Sequence, residues 1–482
     1  MSAEMVSIDR ILKWLLAIFI VWDIGFSFYQ HYHSPIGGDI AQVVIPTPEK
    51  GYYEVLQDPF GVSVLKGEKA YSNPNKYFIH LAASKYLLNA PLALQQFVEP
   101  IPSIYLSIAL LKTITQLALL VFLIFLIPTR EKPLLLSCLF ITALLSSLFQ
   151  TSGFNRVMGI IDPSVIYTFF YAFPMVVLGI FLVPIIRWFK DPTTYSSRWY
   201  WILIMLVLSI PLAMGGALIS GVALVGVLTL LLWVASNYLI NRIATTSFLK
   251  EHRNTIYLFV MTIGWLCLWC LYSLLVNSQN EVQSVYDVGL AERYAKLPAG
   301  LWGLFTNKLG PILLVGTIVL NTVLIRKAGH ASAIRSFKWL AVFILIYILL
   351  LPLGGYRDYR PNILRYDTVI PVTFTLFYML GKSGLLLLDT LKGNSRRYYQ
   401  LALVALIIIF SVADTAKTEA FRFEYNALQV IADSEEELVV LDNTYPVIEF
   451  RIVHEPDHSN LKAALLTKWN VTERDKLFYQ RR

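Results

Sequence analysis

Residues 103–127 read SIYLSIALLKTITQLALLVFLIFLI, an apolar run in which Lys112 is the one charged side chain. An α-helix rises about 1.5 Å per residue, so a run of this length crosses the roughly 30 Å hydrocarbon core of a bilayer. The polar turn PTREK follows at 128–132, and another apolar run begins at 133. The stretch predicts a transmembrane helix and, with its neighbour, an all-α polytopic membrane protein.

Apolar runs of this kind recur along the chain. Of its 482 residues, 56% are hydrophobic and 15% are charged, whereas an average soluble domain has about 25% charged residues. The runs form a transmembrane domain over residues 1–415, which includes a long external loop at 31–102. We predict about eleven transmembrane helices, at residues 11–29, 103–127, 133–150, 164–186, 199–214, 217–240, 255–276, 309–326, 337–353, 367–390 and 398–415.

The remaining residues, 416–482, form a small external α/β segment. The apolar periodicity predicts helices at 418–432 and 459–469. Short strands are predicted at 437–441 and 447–453, on either side of Pro446.

Basic side chains fall in every second loop between the apolar runs. Arg10 and Lys13 lie at the start of the first run, Arg130 follows the second, and Arg397 precedes the last. The positive-inside rule assigns these loops to the cytoplasm. We therefore expect a multi-pass protein of the inner (plasma) membrane with a cytoplasmic N-terminus and a periplasmic or extracellular C-terminus. Topology explains the formal charge of +8, so membrane lipids are expected partners and nucleic acid is not.

The external loop at 31–102 begins by bringing a carboxylate close to the membrane surface. Gly37 and Gly38 permit a sharp turn, and Asp39 follows them. A carboxylate in this position can act as a general base toward a hydroxyl, or hold a divalent metal at a phosphate. It can equally cap a helix that begins at Ile40. The spacing leaves these roles open.

A second polar cluster lies at residues 354–367. It places Arg357, Arg360 and Arg365 within nine residues of chain, on the side where the positive-inside rule predicts few basic residues. Planar guanidinium groups suit bidentate binding of phosphate, and a phosphate-bearing lipid is a natural partner at the bilayer surface. The alternative is that these arginines are interfacial anchors beside tyrosines such as Tyr366.

Four further ionisable residues accompany these clusters. Asp162 and the following proline begin the fourth run, where Asp is typical of an N-cap and Pro of a first helical turn. With Arg156 close by, Asp162 is also a candidate second carboxylate on the external side. Asp23 and Lys112 lie at similar depths within the first two runs, so we expect them to form an ion pair.

Together these features resemble the GT-C superfamily of membrane glycosyltransferases, which use sugars carried on polyprenyl phosphate. The likeness covers the architecture of most of the chain: an odd number of spans, a cytoplasmic N-terminus, a long first external loop with an acidic residue, and an external C-terminal segment. Asp39 takes the position of the family's acidic residue. Arg365 and Tyr366 take that of a late external arginine that contacts the lipid phosphate. The first loop is also similar to that of uncharacterised bacterial membrane proteins.

The resemblance implies a hexosyl- or pentosyltransferase of the cell envelope. It implies that Asp39 is the catalytic base, and that the donor is a polyprenyl-phosphate-linked sugar and the acceptor a glycan, lipid or protein. Many members carry an acidic pair where this chain has Gly38 and Asp39, so a divalent metal stays open and no metal ligand is assigned. The donor phosphate would be bound by Arg365, Arg357, Arg360 and Arg156. The substrates would contact Tyr52, Tyr53, Tyr77, Tyr366 and Asp162.

Two other classes of protein fit the same topology. One is a lipid-linked saccharide transporter or a polymerase-type envelope assembly protein, and the other is a non-catalytic membrane subunit. An outer cavity that contains Asp39 and Arg365 favours glycosyl transfer, whereas a continuous central pathway favours transport.

Overall fold

The computed structural model describes residues 3–48, 52–127, 134–154, 159–190, 199–240, 242–280, 288–354, 363–442 and 444–481. In this part of the chain nine helices are long and apolar enough to cross a membrane, which confirms an all-α polytopic membrane protein. They are Arg10–Tyr32, Pro100–Leu126, Val165–Lys190, Ala217–Ile240, Arg253–Ser278, Leu309–Lys327, Ala331–Gly354, Ile370–Thr390 and Gly393–Ala413.

The other two predicted spans are shorter apolar helices. Leu134–Ser146 has 13 residues and Trp199–Ala213 has 15, which correspond to about 20 Å and 22 Å of helix. Both lengths are below the roughly 30 Å of a hydrocarbon core. Leu134–Ser146 packs on the first span, and Trp199–Ala213 packs on Arg253–Ser278.

The fourth span begins irregularly. A short helix, Val165–Tyr167, leads into a π-helical turn at Thr168–Ala172, and a regular helix continues over Phe173–Lys190. Pro174 has no backbone N–H, so the regular hydrogen-bond ladder is interrupted at this point. Such π-turns are frequent at functional sites, and this one carries Phe170 and Tyr171 into the wall of a cavity.

Shorter helices fill the connections between the spans. In the first loop they are Ile40–Val44, Tyr53–Gln57, Val62–Leu65 and Tyr77–Leu94. Further along the chain they are Arg242–Glu251, Leu290–Thr306 and a 3-10 turn at Leu351–Gly354.

The tail contains two helices, Glu419–Asp433 and Asn460–Lys468, a 3-10 turn at Pro456–Ser459, and two strands. The strands, Leu438–Leu441 and Leu477–Gln480, pair in parallel with Leu438 opposite Leu477. Both helices and the first strand confirm the prediction.

The strand predicted at 447–453 is wrong. Ile448 has a φ of 50°, which is left-handed backbone that a β-branched residue adopts only when tertiary contacts impose it. Its N–H donates to the Glu424 carboxylate at 2.9 Å and is not in a sheet. The first strand pairs instead with Leu477–Gln480.

The described residues form four hydrophobic clusters, of which two are much larger than the others. One lies among the membrane helices and includes Leu120, Phe377 and Phe410. The other joins the first loop, the start of the second span and the tail. The buried Glu424 carboxylate lies in the second core, where it accepts hydrogen bonds from Ile36 N–H at 2.8 Å, Tyr105 O–H at 3.1 Å and Ile448 N–H.

Candidate functional site

The first loop turns tightly between the fourth span and the tail. Gly37 has a φ of +94°, and a Cβ there would lie 3.4 Å from Ser164 Oγ. A Cβ on Gly38 would lie 2.6 Å from the backbone nitrogen of Phe450, closer than real Cβ atoms approach. Glycine at 38 is therefore required by the close approach of the tail. Asp39 follows directly after this turn, so the turn sets its position between the fourth span and the tail.

Asp39 directly precedes helix Ile40–Val44, and the helix begins where the sequence predicted. The Asp39 side chain is half-buried and makes no hydrogen bond that caps this helix. The Asp39 carboxylate lies within electrostatic range of Tyr167.

Arg365 lies in the segment that leads into helix Ile370–Thr390. Its guanidinium pairs with the Asp367 carboxylate, which is 3% exposed, while Arg365 itself is 20% exposed. Arg365 Nη2 also donates to the Tyr171 hydroxyl at 3.3 Å. These two partners fix the planar group and leave part of it accessible.

Asp162 lies beside Tyr366 before the fourth span. The Ser164 N–H donates to Asp162 Oδ1 at 2.7 Å, but the helix begins at Val165 with Ser164 as its N-cap, so the prediction that Asp162 is the N-cap is wrong. Burial raises the pKa of the Asp162 carboxyl group. Burial and then the neighbouring Asp162 raise the pKa of the Tyr366 hydroxyl, which keeps it protonated and able to donate a hydrogen bond.

The ion pair expected between Asp23 and Lys112 does not form between these two described residues. The fully buried Lys112 ammonium donates to the Pro163 carbonyl and lies near Asp162, whereas Asp23 lies near Ser146. Lys112 lies within electrostatic range of His31, near the end of the first span. His31 is eight residues beyond Asp23, which is about 12 Å of helix, so the two expected partners do not lie at the same level of the bundle.

Tyr167, in the fourth span, links the separate parts of the site. It lies within electrostatic range of Asp39, Asp162 and Arg365, and also of Tyr171. Tyr366 belongs to the same group because it adjoins Asp162. Four residues predicted from the sequence, Asp39, Asp162, Arg365 and Tyr366, are thus grouped around the start of the fourth span.

A cavity of about 460 Å³ adjoins this group and is lined by Arg365, whereas Asp39 is not among its described lining residues. Its polar wall includes Lys76, Tyr171 and Arg365, and its apolar wall includes Leu224 and Val225. Lys76 Nζ lies 5.0 Å from the centre of the Phe170 ring, a distance at which a cation is attracted by an aromatic face. The cavity therefore combines two cations with an apolar surface.

The three first-loop tyrosines predicted to contact the substrates, Tyr52, Tyr53 and Tyr77, are not among the described residues that line this cavity. The ring centre of Tyr52 lies 4.4 Å from that of His80, and Tyr77 packs edge-on against Phe78 at 5.1 Å. Tyr53 is half-buried in helix Tyr53–Gln57. Desolvation, with a smaller contribution from Lys76, lowers the pKa of the buried His80 well below its usual value.

The predicted phosphate ligands Arg156, Arg357 and Arg360 lie outside the described residues. Within the described ranges, no group of three or more His, Cys, Asp or Glu side chains is arranged to hold a metal ion.

Sequence reasoning missed several members of the site. Lys76 could have been identified from the sequence, because it is a basic residue in a loop predicted to be external, where few basic residues are expected. Tyr167 and Tyr171 could not have been identified in this way, since aromatic residues in an apolar run are expected to pack against neighbouring helices. Asp367 lay next to the quoted arginines, but its pairing with Arg365 depends on the fold.

The arrangement places anion-binding groups and carboxylates on one face of the bundle. Arg365 and Lys76 can hold a phosphate, and the cavity's apolar wall can accept a hydrocarbon chain. Asp39 supplies a carboxylate that can accept a proton. Comparison of the chain with family models, curated proteins and solved structures gave no match.

Proposed function

We propose that this protein is a glycosyltransferase that moves a sugar from a polyprenyl-phosphate donor to an acceptor hydroxyl at the external face of the inner (plasma) membrane. The observation that carries the proposal is the cavity beside Tyr171, in which Lys76 and Arg365 face an apolar wall. A lipid phosphate has both chemistries, a polar anion and a long hydrocarbon chain.

In the proposed reaction the donor phosphate binds to Arg365 and Lys76, with the start of the prenyl chain against Leu224 and Val225. Asp39 takes the proton from the acceptor hydroxyl. The acceptor oxygen then forms a bond to the anomeric carbon, and the bond from that carbon to the phosphate oxygen breaks. Its electron pair stays on the phosphate, where the added charge is stabilised by the two cations.

The test uses purified protein in nanodiscs with radiolabelled polyprenyl-phosphate sugars and a panel of acceptors. Asp39→Asn keeps the shape of the side chain but removes the base, so we expect transfer to fall by a factor of about 10² or more. Glu68→Gln is the matched control, because Glu68 is an exposed carboxylate of the same loop.

Wild-type turnover by Asp39→Asn would defeat the assignment of the base. Movement of the lipid-linked sugar across the bilayer without transfer would identify a transporter. Neither transfer nor movement with any donor would favour the non-catalytic subunit.

A further inference from the structure

Two further cavities lie between helices Ala217–Ile240 and Ala331–Leu350, at the opposite end from the candidate site. Their volumes are about 870 Å³ and 490 Å³, and both are lined by Trp233 and Trp339. The candidate site adjoins the other end of the same helix pair, near Gly216 and Tyr347. The two cavities therefore form one groove at the end of the bundle where the predicted basic loops lie.

The larger cavity is strongly cationic. Its lining includes Arg326, Arg335 and Lys338, and no Asp or Glu is among its described lining residues. Trp233 and Trp339 lie where it meets the smaller cavity. Tryptophan is enriched at membrane interfaces, where one side of the ring is apolar and the other is hydrated.

The smaller cavity continues the groove along the membrane helices and is lined mainly by apolar side chains, among them Leu230, Leu340 and Phe343. Lys382 also lines it, with its ammonium donating to the Tyr378 hydroxyl at 3.1 Å. Gly226 leaves open space in the wall, because a Cβ placed on it would have no heavy atom within 4 Å.

We propose that this groove is a binding site for an acidic phospholipid. The headgroup phosphate contacts Arg326, Arg335 and Lys338, and an acyl chain passes between Trp233 and Trp339 into the smaller cavity. Three cations without a carboxylate select an anion, and the apolar continuation selects an anion that carries a hydrocarbon chain. This inference is independent of the proposed glycosyl transfer.

The test is native mass spectrometry of the full-length protein after exchange into equal amounts of phosphatidylglycerol and phosphatidylcholine. We expect wild type to retain phosphatidylglycerol preferentially. The variant Arg326→Gln/Arg335→Gln/Lys338→Gln should retain it on the order of 100-fold less, because each cation near a membrane surface contributes roughly a fivefold attraction to anionic lipid. The matched control, Lys392→Gln/Arg396→Gln/Arg397→Gln, removes three exposed cations that are not among the lining residues.

A second pair of variants tests the apolar part without changing charge. Gly226→Leu fills the open space and should displace the lipid, whereas Gly226→Ala should retain it. Equal retention of phosphatidylglycerol by the two triple variants would overturn the proposal. Equal retention by Gly226→Leu and Gly226→Ala, or no preference over phosphatidylcholine in wild type, would overturn it as well.

Discussion

Gly38 shows how a single position depends on contacts made far along the chain. The sequence predicted that the glycine pair allows a sharp turn before Asp39, and the turn is present. The second reason for glycine at 38, the approach of Phe450 from the tail, could not be predicted, because local sequence holds no information about a contact 412 residues away (450 − 38).

Gly38→Ala should therefore lower the stability of the turn and misplace Asp39. The new methyl group would lie 2.6 Å from the Phe450 backbone nitrogen, and relief of such overpacking costs about 1–3 kcal/mol. We expect a lower thermal unfolding temperature and weaker glycosyl transfer. The control is Gly289→Ala, where a Cβ meets no atom within 4 Å. Equal unfolding temperatures in the two variants would contradict the steric explanation.

At the scale of elements, helix Glu419–Asp433 was predicted to within one residue at each end. Its apolar periodicity was sufficient for that purpose. The role of Glu424 was not predictable, since its three hydrogen-bond donors come from the first loop, the second span and the segment after Pro446. The strand at 447–453 was predicted wrongly for the same reason, a contact between distant parts of the chain. Glu424 accepts the hydrogen bond from the Ile448 N–H that would otherwise be available to a sheet.

Glu424 should make docking of the tail sensitive to pH. Burial raises the pKa of this carboxyl group from 4.5 to about 7, so between those values the folded protein binds more protons than the unfolded chain. Stability from this group therefore falls as pH rises from about 4.5 to 7, by at most about 3 kcal/mol. The measurement is the unfolding free energy of wild type and Glu424→Gln at pH 5 and pH 7.5.

The variant Glu424→Gln should lack this pH dependence and be less stable than wild type at pH 5. Both Glu424 oxygens accept backbone N–H groups, so the amide nitrogen of glutamine would face one of these donors. An unsatisfied buried donor costs about 1–3 kcal/mol. A stability difference between the two proteins that does not change with pH would contradict the role given to Glu424.

For the whole molecule, hydrophobic run length predicted most of the helices because a bilayer imposes the same length on each span. In the described residues the helices Leu134–Ser146 and Trp199–Ala213 are shorter than the other spans, so that these two cross the membrane stays a prediction. Charge in the loops predicted that Asp39 and Arg365 would lie on one face, and both lie near Tyr167. The link from Lys112 to Pro163 depends on how the helices pack, and no pattern within one run specifies it.

The predicted orientation can be tested with cysteine labelling in intact cells. Glu473 in the tail and Ser395 before the last span are both exposed. A membrane-impermeant maleimide should label Glu473→Cys from outside and Ser395→Cys only after permeabilisation, because the tail is predicted to be external. The wild type is the background control, since Cys138, Cys267 and Cys270 lie within apolar helices. The opposite labelling pattern would reverse the assigned topology.

The hydrogen bond from Ile36 to Glu424 joins residues 388 positions apart, and this has a consequence for biosynthesis. A ribosome adds about 5–20 residues per second, so the first loop waits roughly 20–80 s for its partner in the tail. During that time the loop is already made while the carboxylate and Phe450 that hold its turn are not. Asp39 therefore reaches its final environment only after the last span and the tail have both been synthesised. A partly synthesised chain has no assembled candidate site.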